Sequence, residues 1–160
     1  MPWDAAADPY ITAISATNLG TQNSGLPGEV LIGYYEVMDE SFDGAAEDEL
    51  YFMLVNALST SSGLAADTQQ QIHLEFDMGD SGITQLLRLS SDTGLLEALP
   101  LIHDGGSLYH LDLVLDGGTG DLFKFDTGAP FVGAGAIPEP ATLALLGLGA
   151  VSLLRRRRRG

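Results

Sequence analysis

An acidic run between positions 39 and 49 holds the residues best suited to binding a metal ion. Five of its residues match ligand and turn positions of an EF-hand calcium loop: Asp39, Ser41, Asp43, Gly44 and Glu47. The last position of such a loop requires a bidentate Glu, whereas this chain has Leu50 there, so a true EF-hand is not expected. Two interpretations stay open. One is a looser Ca²⁺ site with oxygen ligands from Asp39, Asp43 and Glu47, and the other is a solvated acidic loop.

Histidine and cysteine, the other common metal ligands and nucleophiles, give no clear candidate site in this sequence. The chain has no cysteine, which excludes disulfides, thiolate metal sites and cysteine nucleophiles. The histidines His73, His103 and His110 are scattered and lack the spacing of zinc ligands. We expect His73 and His110 on polar strand faces and His103 beside a turn.

Carboxylates are so abundant that no single pair indicates catalysis. Asp116, Asp121 and Asp126 form a second, weaker candidate oxygen cluster, which turn formation explains equally well. The sequence contains no Gly-x-Ser-x-Gly elbow, phosphate loop or dinucleotide fingerprint. We therefore predict that the protein is not an enzyme, and that Ca²⁺ is its sole candidate cofactor.

Charge is divided unevenly along the 160 residues, whose formal net charge is −15. Residues 1–137 hold 21 acids against the two bases Arg88 and Lys124, a net charge of −19. Residues 138–160 hold five arginines and one acid, a net charge of +4. Because phosphate backbones repel so acidic a body, nucleic-acid binding is not expected.

Short apolar runs separated by Gly, Asp, Ser and Pro predict a body made of strands. The predicted strands span residues 10–17, 29–38, 50–58, 71–78, 83–90, 95–102, 107–116 and 121–126. Alternation is clearest over residues 72–78, where every second residue is apolar, as in a strand with one face on a core. Such spacing predicts an all-β, antiparallel β-sandwich, with a jelly roll as the preferred form.

The last two predicted strands flank a glycine-rich connection, residues 116–120, which is suited to a β-hairpin. Residues 107–128 weakly resemble the late hairpin of concanavalin A-like jelly-roll domains. The resemblance ranks a jelly roll above other sandwiches. Many such domains bind glycans, and an extracellular polysaccharide is a candidate partner. The chain departs from the sugar-binding pattern in having few aromatic residues at outward-facing positions.

The C-terminal segment has a different character from the body. Pro138, Glu139 and Pro140 precede residues 141–154, which carry no charge, and five arginines follow. A helix of fourteen residues is about 21 Å long, short of the roughly 30 Å hydrocarbon core, so it would span a membrane only weakly. The arginines should remain on the cytoplasmic side. A buried core helix and an ordinary tail anchor are the alternatives.

This order of features resembles the PEP-CTERM protein-sorting signal of Gram-negative bacteria over about residues 137–159. The resemblance implies an exported protein, held transiently in the inner membrane and processed by an exosortase. Pro138, Glu139 and Pro140 would then be recognition residues that catalyse nothing. The arginines that would orient the segment in the membrane are Arg155, Arg156, Arg157, Arg158 and Arg159.

Three regions follow from these patterns: an acidic β-sandwich over residues 1–127, a Gly/Ala-rich linker over 128–137, and the sorting signal over 138–160. Exported proteins need an N-terminal signal peptide, which the opening residues do not resemble, so we predict a missing N-terminus. The predicted function is that of an exported, non-catalytic protein of the cell surface or extracellular matrix. A glycan- or Ca²⁺-binding module is the alternative, and an extracellular hydrolase is the third interpretation.

Overall fold

The computed structural model describes residue 8, residues 10–36, residues 50–128 and residue 131. Across these residues run nine strands: β1 Ile11–Asn18, β2 Val30–Glu36, β3 Leu50–Asn56, β4 Gln70–Asp77, β5 Gln85–Leu89, β6 Leu96–Pro100, β7 Ile102–Gly105, β8 Leu108–Leu115 and β9 Gly120–Phe125. They form two antiparallel sheets: sheet A in the order β1-β4-β8-β7, and sheet B in the order β2-β3-β9-β5-β6. The prediction of an all-β, antiparallel fold is confirmed.

A single apolar core lies between the two sheets. Sheet A contributes the alternating Ile72, Leu74 and Phe76 of β4, each fully buried as the sequence pattern predicts. Sheet B contributes mainly aromatic residues, including Phe125, whose ring meets that of Phe76 edge-on at 6.0 Å between centroids. Such edge-to-face packing favours aromatic pairs beyond the area they bury. The sheets therefore form a sandwich.

Buried amides join the two sheets at one end of this core. Asn56 of β3 donates from Nδ2 to the carbonyl oxygens of Thr68 and Leu115, each at 2.9 Å. Gln70 of β4 donates to Asn56 Oδ1 and to the carbonyl oxygen of Glu29. A buried polar group without partners would be costly, so these hydrogen bonds require the two sheets to meet in one arrangement.

The predicted strand over residues 95–102 is wrong in one respect, because the chain divides it between the two sheets. Residues 96–100 form β6 in sheet B, and β7 begins in sheet A after the single residue Leu101. The Leu101 side chain is buried in the core, while its N–H donates to the carbonyl oxygen of Thr84 at 2.9 Å. A mainly apolar run, interrupted by Glu97, therefore concealed a crossing between layers.

The predicted hairpin of residues 107–128 is also wrong, because β8 lies in sheet A and β9 in sheet B. Its glycine-rich connection passes between the layers and packs against the 3-10 turn Ala65–Thr68. A Cβ at Gly117 would lie 1.8 Å from Thr68 Oγ1, so this glycine permits a close approach. The predicted hairpin was the reason for preferring a jelly roll, and the structure does not contain that hairpin.

The predicted C-terminal helix, residues 141–154, lies outside the described residues. Of the predicted linker, the structure describes Gly128 and Phe131. Among the described residues, no helix has the length and apolar character needed to cross a membrane. The three-region division of the chain stays a prediction.

Candidate functional site

The outer face of sheet A is polar, and we call it the polar face. Strand alternation directs one set of side chains outward from β1, β4 and β8, and beside the apolar Leu108 and Val114 most of them are polar: Ser15, Thr17, Gln71, His73, Glu75, His110 and Asp112. Asp104 of β7 joins them through its contact with His110. Two of the three histidines and three carboxylates therefore share this surface.

Pairing of β4 with β8 brings His73 and His110 together, with ring centroids 5.3 Å apart. His73 Nδ1 lies 2.9 Å from Oδ1 of Asp112, and His110 Nδ1 lies 2.8 Å from Asp104. The other ring nitrogens have longer contacts, His73 Nε2 to Glu75 at 3.6 Å and His110 Nε2 to Asp112 at 3.8 Å. Only the Nδ1 contacts have hydrogen-bond length, so each imidazole is oriented by one carboxylate.

Register also places Ser15, His73 and Asp112 in one row across β1, β4 and β8. This is the residue order of a hydrolase triad, in which a carboxylate on Nδ1 orients the imidazole and Nε2 accepts the serine proton. Here Nε2 lies 3.6 Å from Glu75 Oε1. The row thus has the oriented imidazole of a triad, with a carboxylate near the nitrogen that would serve the nucleophile.

Metal binding by the polar face is not supported. Over the part of the chain that the structure describes, no three His, Asp or Glu side chains converge closely enough to hold a metal ion. The Nδ1 atoms of His73 and His110 are occupied by carboxylates, and the longer contacts leave the remaining ligand atoms spread along the sheet.

The outer face of sheet B is apolar, and we call it the apolar face. Its outward-facing residues include one polar side chain, Gln85, the charged Lys124, and the larger apolar residues Leu31, Tyr35, Tyr51, Met53, Val55, Leu87, Leu89, Leu96 and Leu122. The centre of this face is buried, with Tyr51 2% and Lys124 0% exposed. Its margins are open, with Leu31 61% and Tyr35 51% exposed.

Phe131 lies on the centre of the apolar face and is 3% exposed. Its ring meets Tyr51 edge-on, with centroids 5.2 Å apart and planes at 86°. On the same tyrosine, Lys124 Nζ lies 5.6 Å from the ring centroid, within the range of a cation–π contact. The chain therefore continues from β9 onto this face.

An open cleft of about 380 Å³ lies where β1 begins and β4 ends, lined by Asp8, Tyr10, Thr12, Asp77, Met78 and Gly79. Asp8 Oδ1 accepts hydrogen bonds from the N–H groups of Tyr10 and Ile11, at 2.9 and 2.6 Å. The hydroxyl of Ser107 and the N–H of Gly79 donate to Asp77 and hold the pKa of its carboxyl below the usual value. Two carboxylates and an aromatic ring thus border the cleft.

The carboxylates predicted as Ca²⁺ ligands, Asp39, Asp43 and Glu47, lie outside the described residues. The weaker cluster does not assemble, because Asp121 and Asp126 lie near opposite ends of β9. Asp121 is buried, accepts hydrogen bonds from Ser91 and pairs with Arg88 at 3.5 Å. Asp116 accepts a hydrogen bond from Gln69 at 2.7 Å. Local structure therefore accounts for these aspartates.

Sequence reasoning placed His73 and His110 on polar faces but missed that they are neighbours. The alternation around each histidine was visible, whereas the pairing of β4 with β8 was not. It also missed the apolar face, although β3 is apolar at nearly every position, a pattern typical of strands buried on both faces.

Comparison with known families finds one match, to the PEP-CTERM protein-sorting motif, over residues 136–159. The resemblance seen in the sequence is thereby confirmed. No curated protein and no solved structure matches the chain. The motif implies sorting at the membrane, processing by an exosortase and export to the cell surface.

Proposed function

We propose that the chain is a non-catalytic structural protein of the cell surface or extracellular matrix of a Gram-negative bacterium. The observation that carries this proposal is the sorting motif at residues 136–159. In this reading, the sandwich is the cargo and the C-terminal segment directs it to the exosortase. After processing, the body is released into biofilm polysaccharide.

The chemistry of the motif supports such processing. Pro138 and Pro140 lack the N–H that a continuing helix needs, and Pro140 biases Glu139 toward extended backbone. A charged Glu139 resists entry into lipid, so the tripeptide should stay accessible at the membrane surface. The arginines that follow the apolar segment favour the cytoplasmic side and hold the body outside.

Properties of the body fit a released, solvated role. Loss of the +4 tail would leave a body with a net charge of −19. Such a charge keeps a protein dispersed and away from anionic lipid and other acidic polymers. The polar face gives this body a hydrated surface of hydroxyls, imidazoles and carboxylates.

Mass spectrometry of the mature C-terminus tests the proposal in source cells with and without the exosortase. Cells with the enzyme should yield a body ending near Pro138–Pro140, whereas cells without it should retain Arg155–Arg159. Pro138→Ala combined with Pro140→Ala should block processing, and Thr142→Ser is the matched control that should not. Intact arginines on protein exported by enzyme-containing cells would overturn the proposal.

A glycan- or Ca²⁺-binding module is the second candidate, favoured by the cleft that Asp8, Tyr10 and Asp77 border. An aromatic ring beside carboxylates offers a stacking surface and hydrogen-bond acceptors for a sugar. Because a ligand of the native state raises stability, millimolar Ca²⁺ or a matrix oligosaccharide should raise the melting temperature. Tyr10→Ala should abolish a glycan shift, while Tyr109→Ala, a substitution in sheet A outside the cleft, should preserve it.

An extracellular hydrolase, the third interpretation, would depend on the row of Ser15, His73 and Asp112. Hydrolysis of activated esters that Ser15→Ala abolishes and Thr17→Ser preserves would favour it over a non-catalytic body.

A further inference from the structure

The two outer faces should resemble each other if both only met water, and they do not. An antiparallel sheet with one face on a core normally presents polar residues on the other, as sheet A does. On sheet B, the side chains in register across the strands are mainly apolar instead: Leu31 with Val55, Met53 with Leu122 and Leu89, and Tyr51 and Leu87 on either side of the buried Lys124. Contiguous apolar patches of this kind mark interaction sites.

The route of the chain leads directly to this surface. Phe125 ends β9 within sheet B, and six residues later Phe131 lies buried against Tyr51 at the centre of the apolar face. Phe131 therefore shows that the chain itself covers part of the apolar face. The open margins at Leu31 and Tyr35 show that this contact covers only part of the surface.

We infer that the uncharged segment 141–154 packs on the apolar face before the protein is sorted. As a helix, its fourteen residues would be about 21 Å long. Five strands about 4.8 Å apart give a face about 19 Å across, so the dimensions agree. The nine residues between Phe131 and Ala141 can extend about 33–36 Å, which reaches every part of the face.

Charge favours this occupant over the alternatives. Five arginines, residues 155–159, follow the segment directly, and an acidic body attracts them. A second copy of the unprocessed chain would bring together two molecules of net charge −15, and an anionic membrane surface would repel the same charge. The segment therefore matches the apolar face in hydropathy, and the arginines that follow it are opposite in charge to the body.

Packing of this kind would shield both apolar surfaces from water until the segment enters a membrane. Insertion or cleavage would then uncover the face. The inference concerns the unprocessed chain alone and does not depend on an exosortase.

Crosslinking of the full chain tests the contact, since the absence of native cysteine lets two be introduced cleanly. Met53→Cys paired with Leu145→Cys places one thiol on the apolar face and one in the segment. Thr17→Cys with Leu145→Cys is the matched control on the polar face. With a short bis-maleimide in dilute, detergent-free buffer, the first pair should crosslink within one chain at least several-fold faster than the second.

Equal rates for the two pairs would overturn the inference, and so would crosslinked dimers, which would indicate a second copy on the face. If Met53→Cys fails to fold, as judged by circular dichroism, Leu122→Cys replaces it on the same row. Hydrogen exchange gives a second readout, because Leu31→Asp with Tyr35→Asp should accelerate exchange of amides 141–154. Unchanged exchange in that variant would also count against the contact.

Discussion

The polar face and the apolar face have the same strand geometry but differ in what their outward side chains contact. On sheet A, outward side chains such as Ser15, Glu75 and Asp112 meet water. On sheet B, Tyr51 and Lys124 are as buried as core residues although they point away from the core. The sandwich thus has a second buried layer on one side, begun by Phe131. A side chain on the outer face of a sheet is therefore not always in contact with solvent.

Lys124 illustrates the cost of that second layer. A lysine that is 0% exposed needs electrostatic compensation, and the Tyr51 ring supplies part of it from 5.6 Å. On the polar face, by contrast, each charged group keeps access to water. Substitutions should therefore have larger effects on the apolar side, and three predictions test that ordering.

The largest effect should come from Phe131→Ala, which removes a buried ring from Tyr51. We expect the free energy of unfolding to fall by about 3 kcal/mol, the lower end for loss of a buried Phe. Leu108→Ala, on the outward side of sheet A where the residue is about half exposed, is the control and should change it by less than about 0.5 kcal/mol. Urea denaturation of both variants checks the pair. Equal losses would remove the distinction between the faces.

An intermediate effect should come from Asp112→Asn on the polar face. The change removes a carboxylate 2.9 Å from His73 Nδ1, but partial exposure should limit the loss to about 0.5 kcal/mol or less at low salt. Glu75→Gln, whose contact with His73 is 3.6 Å, should have almost no effect. Denaturation at low and high salt distinguishes the outcomes, and a salt-independent loss of several kcal/mol would show that this face is not solvated.

The smallest effect should come from Asp77→Asn at the margin of the polar face. The hydrogen bond from Ser107, and then that from Gly79, lower the pKa of the Asp77 carboxyl in the folded state. The stabilisation is present above the unfolded pKa of about 3.9, and it is lost as pH falls through the lower folded pKa. The variant should therefore differ from wild type near pH 7 and converge with it in acid. A gap that widened toward low pH would contradict the assignment.

Sequence patterns predicted local structure well and long-range pairing poorly. The alternation of β4 fixed which residues are buried, and every predicted strand overlaps an observed one. The patterns did not predict the sheet to which each strand belongs, as the crossings between sheets at Leu101 and Gly117 show. Local pattern cannot encode that choice, because a crossing and a hairpin both need only a few turn-forming residues.

The candidate sites follow the same rule. The sorting motif was fully predictable, because its residues act in sequence order and need no fold to bring them together. His73 and His110 are 37 positions apart and become neighbours only through the pairing of β4 with β8. The burial of Phe131 was hidden too, since its surroundings are rich in glycine and alanine.

The position of β9 determines when the body can fold. β9 is the last of the described strands in the sequence but the central strand of sheet B, flanked by β3 and β5. Because the chain passes between sheets five times, neither sheet can form from one continuous stretch. Folding should therefore be slow and late, as expected for non-local topologies. Until residue 125 has been synthesised, the chain stays unfolded. It can therefore pass through a translocation channel during most of its synthesis.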